Sequence, residues 1–248
     1  MEPKRLLRDN DLLDALQGAT RMRVFDRLEL VELALGEVLC EAGESFSYAH
    51  FPVDSIASIL YVMKNTASAE IAVVGKEGMI GVSLFMGGDS TSSRVIVQNA
   101  GHAYRMKAKD VQTEFARGGP FQQILLRFVQ SLITQMVQTA ACNRHHTVDQ
   151  QFCRWLLMSL DRLPTNELRM TQRLIGNMLG IDNAGVQAAA EVLSSAGLIE
   201  YDDGDIRVVS RPGVVRRSCE CYGVVKKECD RLLSMALTPA AAPVAVGH

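Results

Sequence analysis

No stretch of the 248 residues approaches 18 consecutive apolar positions, the run an α-helix needs to cross a bilayer core. The amino terminus, MEPKRLLRDNDLLDAL, mixes charge into its apolar positions and lacks the uninterrupted apolar core of a secretory signal. A cytoplasmic protein with no membrane partner is expected. Nor is there a C-x-x-C pair among the six cysteines, at 40, 142, 153, 219, 221 and 229. A chain this long can bury its own core without a disulfide framework, so reduced thiols are the default. Catalytic signatures are missing too. Gly81-Val82-Ser83 is not continued as G-x-S-x-G, no glycine-rich loop ends in Lys-Ser or Lys-Thr, and no H-x-x-E/H set has metal-ligand spacing. These absences argue against an enzyme. A net charge of −2 gives no footprint for nucleic acid, so charge placement must carry that question.

What is present suits a folded protein of two domains: 48% of residues are hydrophobic and 22% charged. Residues 9 to 28 read as one or two short helices, with Leu12, Leu13, Leu16, Met22, Val24, Phe25 and Leu28 for burial. From Leu30 to about Met106 the pattern becomes strand-like. Short runs at Ser55 to Met63, Ile71 to Val74, Arg94 to Gln98 and Ala103 to Met106 are separated by glycine-rich turns, which suits an antiparallel roll or barrel.

Ala108 to Arg117 is helical in pattern, Gly118-Gly119-Pro120 breaks it, and a long helix is expected from Phe121 to about His146. Its apolar stripe, Ile124, Leu125, Phe128, Leu132, Met136 and Val137, is widened by Val129, Ile133, Ala140 and Ala141. A stripe so wide needs cover on two sides, so the roll should take one and a second copy of the chain the other. Leu125, Phe128, Leu132, Gln135, Met136 and Thr139 are the expected dimer contacts, with Gln130, Gln135 and Gln138 suiting a partly polar seam. Charges placed at Phe128 and Leu132 should then break the dimer.

Val148 to Leu163 gives another amphipathic helix, ended by Pro164-Thr165-Asn166. Thr171 can cap a short helix carrying Leu174, Ile175, Met178 and Leu179, and Gly180 stops it. A second helix starts near Asp182 or Asn183, buries Val186, Ala189, Ala190 and Leu193, and ends at Gly197. Two short helices about a glycine-containing turn are the helix-turn-helix plan. Leu198 to Tyr201 and Ile206 to Val209, joined by Asp202-Asp203-Gly204-Asp205, then form a hairpin, the wing. Gly213 to Leu233 reads as one final helix, and TPAAAPVAVGH as a mobile tail.

The order helix, Leu179-Gly180-Ile181, helix, Ala196-Gly197-Leu198-Ile199, hairpin resembles the output domain of the Crp/Fnr superfamily of bacterial transcription regulators. Upstream, Phe51-Pro52, Ser55 to Leu60 and Val74-Gly75-Lys76-Glu77-Gly78-Met79-Ile80-Gly81 resemble that family's sensory roll, and Arg154-Trp155-Leu156-Leu157 the helix entering its DNA-binding domain. The resemblance implies an α+β chain with a double-stranded β-helix (jelly-roll) sensory domain over 1–118, a dimerisation helix over 119–146, a winged helix-turn-helix over 147–234, and a tail over 235–248. It also implies double-stranded DNA and a second copy as partners, with RNA polymerase and a small-molecule effector as further candidates.

Cyclic-nucleotide-binding members of the family place a glycine, then a glutamate for the ribose, and about ten residues later an arginine for the phosphate. Here Gly81 is followed by Val82 and Ser83, and the later stretch is Ser90-Thr91-Ser92-Ser93-Arg94, with serine where arginine is expected. A buried phosphate without its arginine lacks charge compensation. Cyclic AMP is therefore disfavoured, and Gly81, Val82, Ser83, Ser92, Ser93 and Arg94 stand as a pocket for some other effector, if there is one. A shift that brought Arg94 into play would turn it to the opposite strand face. Iron-sulfur sensing in some relatives uses several cysteines near the amino terminus, where Cys40 is alone. On a continuous helix, residues two apart diverge by about 200°, so Cys219 and Cys221 could share an ion only if that turn is frayed. No metal and no cofactor are expected. Cys142 reads as a buried structural thiol and His145-His146 as a solvated basic hinge.

For DNA, Asn183 and Gln187 can each pair bidentately with adenine, and no arginine is available there to read guanine. Thr171, Gln172 and Arg173 at a helix start, with Arg169 before them, offer backbone donors, a hydroxyl and cations to phosphate. Charge opposes this: Glu167 to Val209 holds three cations against seven anions. Two readings stay open, a dimeric regulator with A·T-leaning half-sites and a module of the same fold that acts through a protein partner.

Overall fold

The computed structural model describes residues 10–64, 68–88, 90–202 and 205–234. Helices α1 (Asp11–Asp14) and α2 (Gly18–Phe25) precede strands β1 (Glu29–Leu33), β2 (Val38–Cys40), β3 (Tyr48–Pro52), β4 (Ile56–Val62) and β5 (Ser68–Val74). A single turn, α3 (Ser83–Met86), leads to β6 (Arg94–Asn99) and β7 (Gly101–Lys107), and α4 (Ala108–Ala116) follows. Neighbouring strands pair antiparallel in two sheets, ordered β1-β7-β3 and β2-β6-β4-β5. Ala49, Phe51, Tyr104 and Met106 of the first sheet and Ala57, Ala72, Val74 and Val95 of the second close on one core, the interior of a β-roll. Leu12, Leu13 and Leu16 cap one end of it.

The long helix α5 (Pro120–His145) begins with Pro120 at its first turn, after Gly118 and Gly119 in positive φ. At 1.5 Å per residue it is about 39 Å long. Leu125, Phe128, Leu132, Gln135 and Thr139 are all buried within the protomer, and Met136 is partly buried against the roll core. All six residues expected at a dimer seam therefore have partners within the protomer itself. Phe128 fills the space above Gly78, where an added Cβ would come within 2.3 Å of its ring. The Gln135 amide serves the open edge of β5, accepting from the Val73 N–H at 2.8 Å and donating to the Val73 carbonyl at 3.0 Å. Thr139 accepts from Arg154 Nη2 at 2.6 Å. The face left open is a different one, with Leu126, Ile133 and Val137 at 48%, 54% and 58% exposure.

Helix α6 (Val148–Leu160) starts from a capping box made by Thr147 and Gln150. Beyond it come β8 (Glu167–Arg169), α7 (Gln172–Leu179), α8 (Asn183–Ser195), β9 (Ile199–Asp202), β10 (Asp205–Val208), α9 (Arg211–Arg217) and α10 (Glu220–Ser234). The last two replace the single helix expected over 213–233, because Ser218 is extended (φ −69°, ψ 162°) and breaks it. The tail expected over 235–248 lies outside the described residues.

Strand β5 alternates between two cores: Ala72 and Val74 face the roll interior, whereas Val73 packs with Phe152, Trp155 and Leu156 of α6 and Ile175 and Met178 of α7. Roll and helical region thus share one sheet. At the same junction Arg162 Nε donates to Glu77 Oε1 at 2.7 Å, tying the turn after β5 to the end of α6. Among the described residues no helix is long and apolar enough to cross a membrane.

Candidate nucleic-acid interface

The Thr171 hydroxyl accepts from the Leu174 N–H at 3.3 Å and starts α7, and Gly180 ends it in the left-handed conformation (φ 69°). Asp182 then caps α8 by accepting from the Gly185 N–H at 2.8 Å. Ile175, Met178, Val186, Ala190 and Leu193 bury the inner faces of both helices in one core. The approach is closest at Gly176, where a Cβ would lie 2.7 Å from the Ile181 carbonyl oxygen. Backbone on one side and a helix on the other leave nothing to yield. Gly176→Ala is therefore expected to destabilise the protein by about 1–3 kcal/mol, read as a lowered midpoint in chemical unfolding; an unchanged midpoint would show that the two helices separate easily.

Behind the pair, β8-β10-β9 form a sheet. The wing was legible as a hairpin, but its third strand, β8, was not: Glu167-Leu168-Arg169 is too short to show a period, and it pairs with β10 through Asp205↔Arg169, Ile206↔Leu168 and Arg207↔Glu167. Asp203 and Gly204 of the expected turn lie outside the described residues.

The structure places the six expected DNA contacts unevenly. Thr171, Arg173 and Asn183 are exposed at the start of the two helices. Arg169 is also exposed, but Asp205 receives both its Nε (2.8 Å) and its Nη2 (3.0 Å). That pair holds the Asp205 carboxyl below the usual carboxylate range, its hydrogen bond to Arg169 being the main cause. Arg207 is also paired, its Nε and Nη2 both donating to Glu200 Oε2. Among the described residues of this segment, Arg173 is the one cation outside an ion pair. Gln172 and Gln187 are tied together, Gln172 Nε2 donating to Gln187 Oε1 at 3.1 Å, while Gln187 Nε2 donates to Glu191 at 2.9 Å. Both ends of the Gln187 amide are thus engaged.

The six effector residues fall on two segments whose bonds lead away from one another. Gly81 has φ 101°, and Leu84, Ala49 and Phe46 crowd the position its Cβ would take. Val82 precedes α3, and the Ser83 hydroxyl is buried without a partner among the described residues. On the other segment Ser92 is exposed, the buried Ser93 donates its N–H to Thr91 Oγ1 at 3.2 Å, and Arg94 Nη2 donates to Glu41 at 2.8 Å. A cavity of about 260 Å³ lies elsewhere, at the junction lined by Lys76, Glu77, Asp161, Arg162, Tyr222 and Lys226. No residue pattern marked it in advance, because its lining, which also includes Asp11, comes from four separate stretches.

Comparison with solved structures identifies the fold. A Crp/Fnr-family transcriptional regulator from Eubacterium rectale superposes with a TM-score of 0.65 at 13% identity, covering 83% of this chain and 96% of that one. FixK2 from Bradyrhizobium japonicum gives 0.67 at 14% identity, with 77% and 98% covered. The c-di-GMP-responsive regulator CLP of Xanthomonas campestris gives 0.62 at 12% identity, with 78% and 100% covered. Neither protein-family models nor curated proteins match the sequence. The chain has the Crp/Fnr fold, a β-roll followed by a winged helix-turn-helix.

Proposed function

We propose that the protein is a dimeric DNA-binding transcription regulator, not controlled by cyclic AMP, that reads A·T-leaning half-sites. The helix pair carries this reading. Packed tightly at Gly176, it presents Arg173 and Asn183 to solvent at the front of α7 and α8, where a helix-turn-helix meets phosphate and base edges. Exposed ion pairs such as Arg169 with Asp205 contribute only about 0–1 kcal/mol, so a phosphate can draw Arg169 away. Ser92 and Ser93 stand where the cyclic-phosphate arginine is expected, and the neighbouring Arg94 is directed to Glu41, which argues against a cyclic phosphate. The open face of α5 supplies the second copy. RNA polymerase and an effector other than cyclic AMP complete the reading as partners.

One observation favours the second reading, a module that works through a protein partner. Beside α8 an apolar groove of about 440 Å³ is lined by Val148, Ala188, Ala189 and Val192 between Asp149 and Arg217. Selection from a random duplex library, at low and near-physiological salt, separates the two. The regulator reading expects a two-fold motif in which Asn183→Ala relaxes one position by about 1–3 kcal/mol. Arg173→Ala should weaken all sequences alike and reduce the salt slope by about 1. No enrichment at either salt by the intact dimer would favour the protein-partner reading.

A further inference from the structure

The break between α9 and α10 changes the chemistry of the cysteines. With Ser218 extended, Cys219 leaves the helical path, so the divergence expected between Cys219 and Cys221 does not arise. Both meet the carboxyl end of α5, where Cys142 and His146 lie four residues apart on one face. The Cys142, Cys219 and Cys221 sulfurs and a His146 ring nitrogen all lie within 4.8 Å of one another. Cys142 Sγ is 3.4 Å from Cys219 Sγ, and Cys221 Sγ is 3.6 Å from His146 Nδ1.

We propose that these four residues form a structural zinc site of the Cys3His type. Around tetrahedral zinc, with Zn–S about 2.3 Å and Zn–N about 2.0–2.1 Å, the ligand atoms of a Cys3His set stand about 3.5–3.8 Å apart. The group needs only small adjustment to reach those separations. An iron-sulfur cluster, a larger object held from its corners, does not fit ligands this close. The surroundings match as well. His146 turns Nδ1 to the sulfurs, and its Nε2 lies 3.2 Å from Glu220 Oε2, the carboxylate–histidine arrangement that orients a metal-bound imidazole. One divalent ion with three thiolates and a neutral imidazole carries one net negative charge. Buried Arg154, whose Nε has no partner among the described residues, lies within electrostatic reach of Cys142 and Cys221 and balances it. Four protein ligands leave no open position, so the role is structural. The ion would clasp α10 to the end of α5, across the hinge at His146-Thr147 where the helical region begins.

Elemental analysis of the full-length protein, purified under reducing conditions from zinc-supplemented medium, is expected to find one zinc per chain. The ion should be retained in Cys229→Ser and lost in Cys142→Ser and Cys219→Ser. Because a serine variant can also misfold, Co2+ is titrated into metal-free wild type. Tetrahedral d–d bands with thiolate charge transfer, saturating at one equivalent, support the site. Metal-free protein that gives no cobalt bands under reduction overturns it, as does iron with acid-labile sulfide in place of zinc. A Cys142–Cys219 disulfide in protein kept anaerobic also overturns it.

Discussion

Replacing Ile133 and Val137 together with glutamate is expected to give a folded monomer that sediments at half the wild-type mass and no longer holds a two-fold DNA site. The exposed face of α5 runs Leu126, Gln130, Ile133, Val137, Ala140 and Arg144, spaced alternately four and three, the seam of a two-stranded coiled coil, with Gln130 at its border donating to Glu228 of α10 at 3.2 Å. Burying an Ile or Val side chain contributes about 1.5–3 kcal/mol, and the double change removes two from each protomer while placing four carboxylates in the seam. Each 1.4 kcal/mol is about tenfold in dissociation constant, so the loss far exceeds what a micromolar sample can hide. Far-UV circular dichroism should not change, because both positions face solvent in the protomer. Leu132→Glu is the contrast. Leu132 is 4% exposed and seated on the roll, so a charge there should unfold the chain rather than dissociate it. If Leu132→Glu gave the folded monomer and the Ile133/Val137 variant remained dimeric, the seam would lie on the inner stripe and the assignment would be wrong.

The two stripes of α5 show what its sequence could and could not convey. Leu125, Phe128, Leu132, Gln135 and Thr139 repeat as regularly as Leu126, Gln130, Ile133, Val137 and Ala140, and periodicity alone does not say which stripe meets the roll. The structure decides through long-range partners: Gly78 makes room for Phe128, and the edge of β5 needs an amide, which Gln135 supplies. The helix-turn-helix was legible because its signals are local. Thr171, Gly180 and Asp182 are caps and stops whose chemistry acts within three residues. The two-helix carboxyl end was not, since Arg216-Arg217-Ser218-Cys219-Glu220 holds neither proline nor glycine; Ser218 was the one hint. The cysteine and histidine grouping depends on that break and on a contact spanning 77 residues. In the candidate interface, residue types were readable but their pairing was not: nothing local to Arg169 announces Asp205 across the sheet.

Replacing Glu70 with glutamine is expected to change the slope of stability with pH. Glu70 is buried on β5 and linked through Ser58 and Gln98 to α6, and burial pushes its carboxyl up to about 7 from an ordinary 4.5, against the weaker pull of Ser58, Arg154 and Arg162. Ser58 Oγ is 2.6 Å from Glu70 Oε2 and 2.7 Å from Gln98 Oε1, and Gln98 Nε2 donates to Ser159 of α6 at 2.8 Å. A hydroxyl has one hydrogen. With the amide so oriented, both Ser58 contacts are satisfied when protonated Glu70 donates to Ser58 and Ser58 donates to Gln98. Between pH 4.5 and about 7 the folded chain therefore holds a proton that the unfolded chain releases, and this group's contribution falls by about 3 kcal/mol as pH rises. His50 acts in the opposite sense: burial, aided by Arg105, lowers it to about 4 from 6.5. The unfolded chain then binds the extra proton, so that contribution rises with pH by about 3 kcal/mol across pH 4 to 6.5. The two slopes nearly cancel over their common window in wild type. Glu70→Gln should unmask the rise and gain about 3 kcal/mol over wild type at pH 8, while His50→Gln should unmask the fall. Urea unfolding at several pH values reads both differences. Variant profiles parallel to wild type would mean that Glu70 and His50 titrate alike in the folded and unfolded chains. Because the Glu70 chain ends on α6, its protonation is also felt where roll and helical region share a sheet.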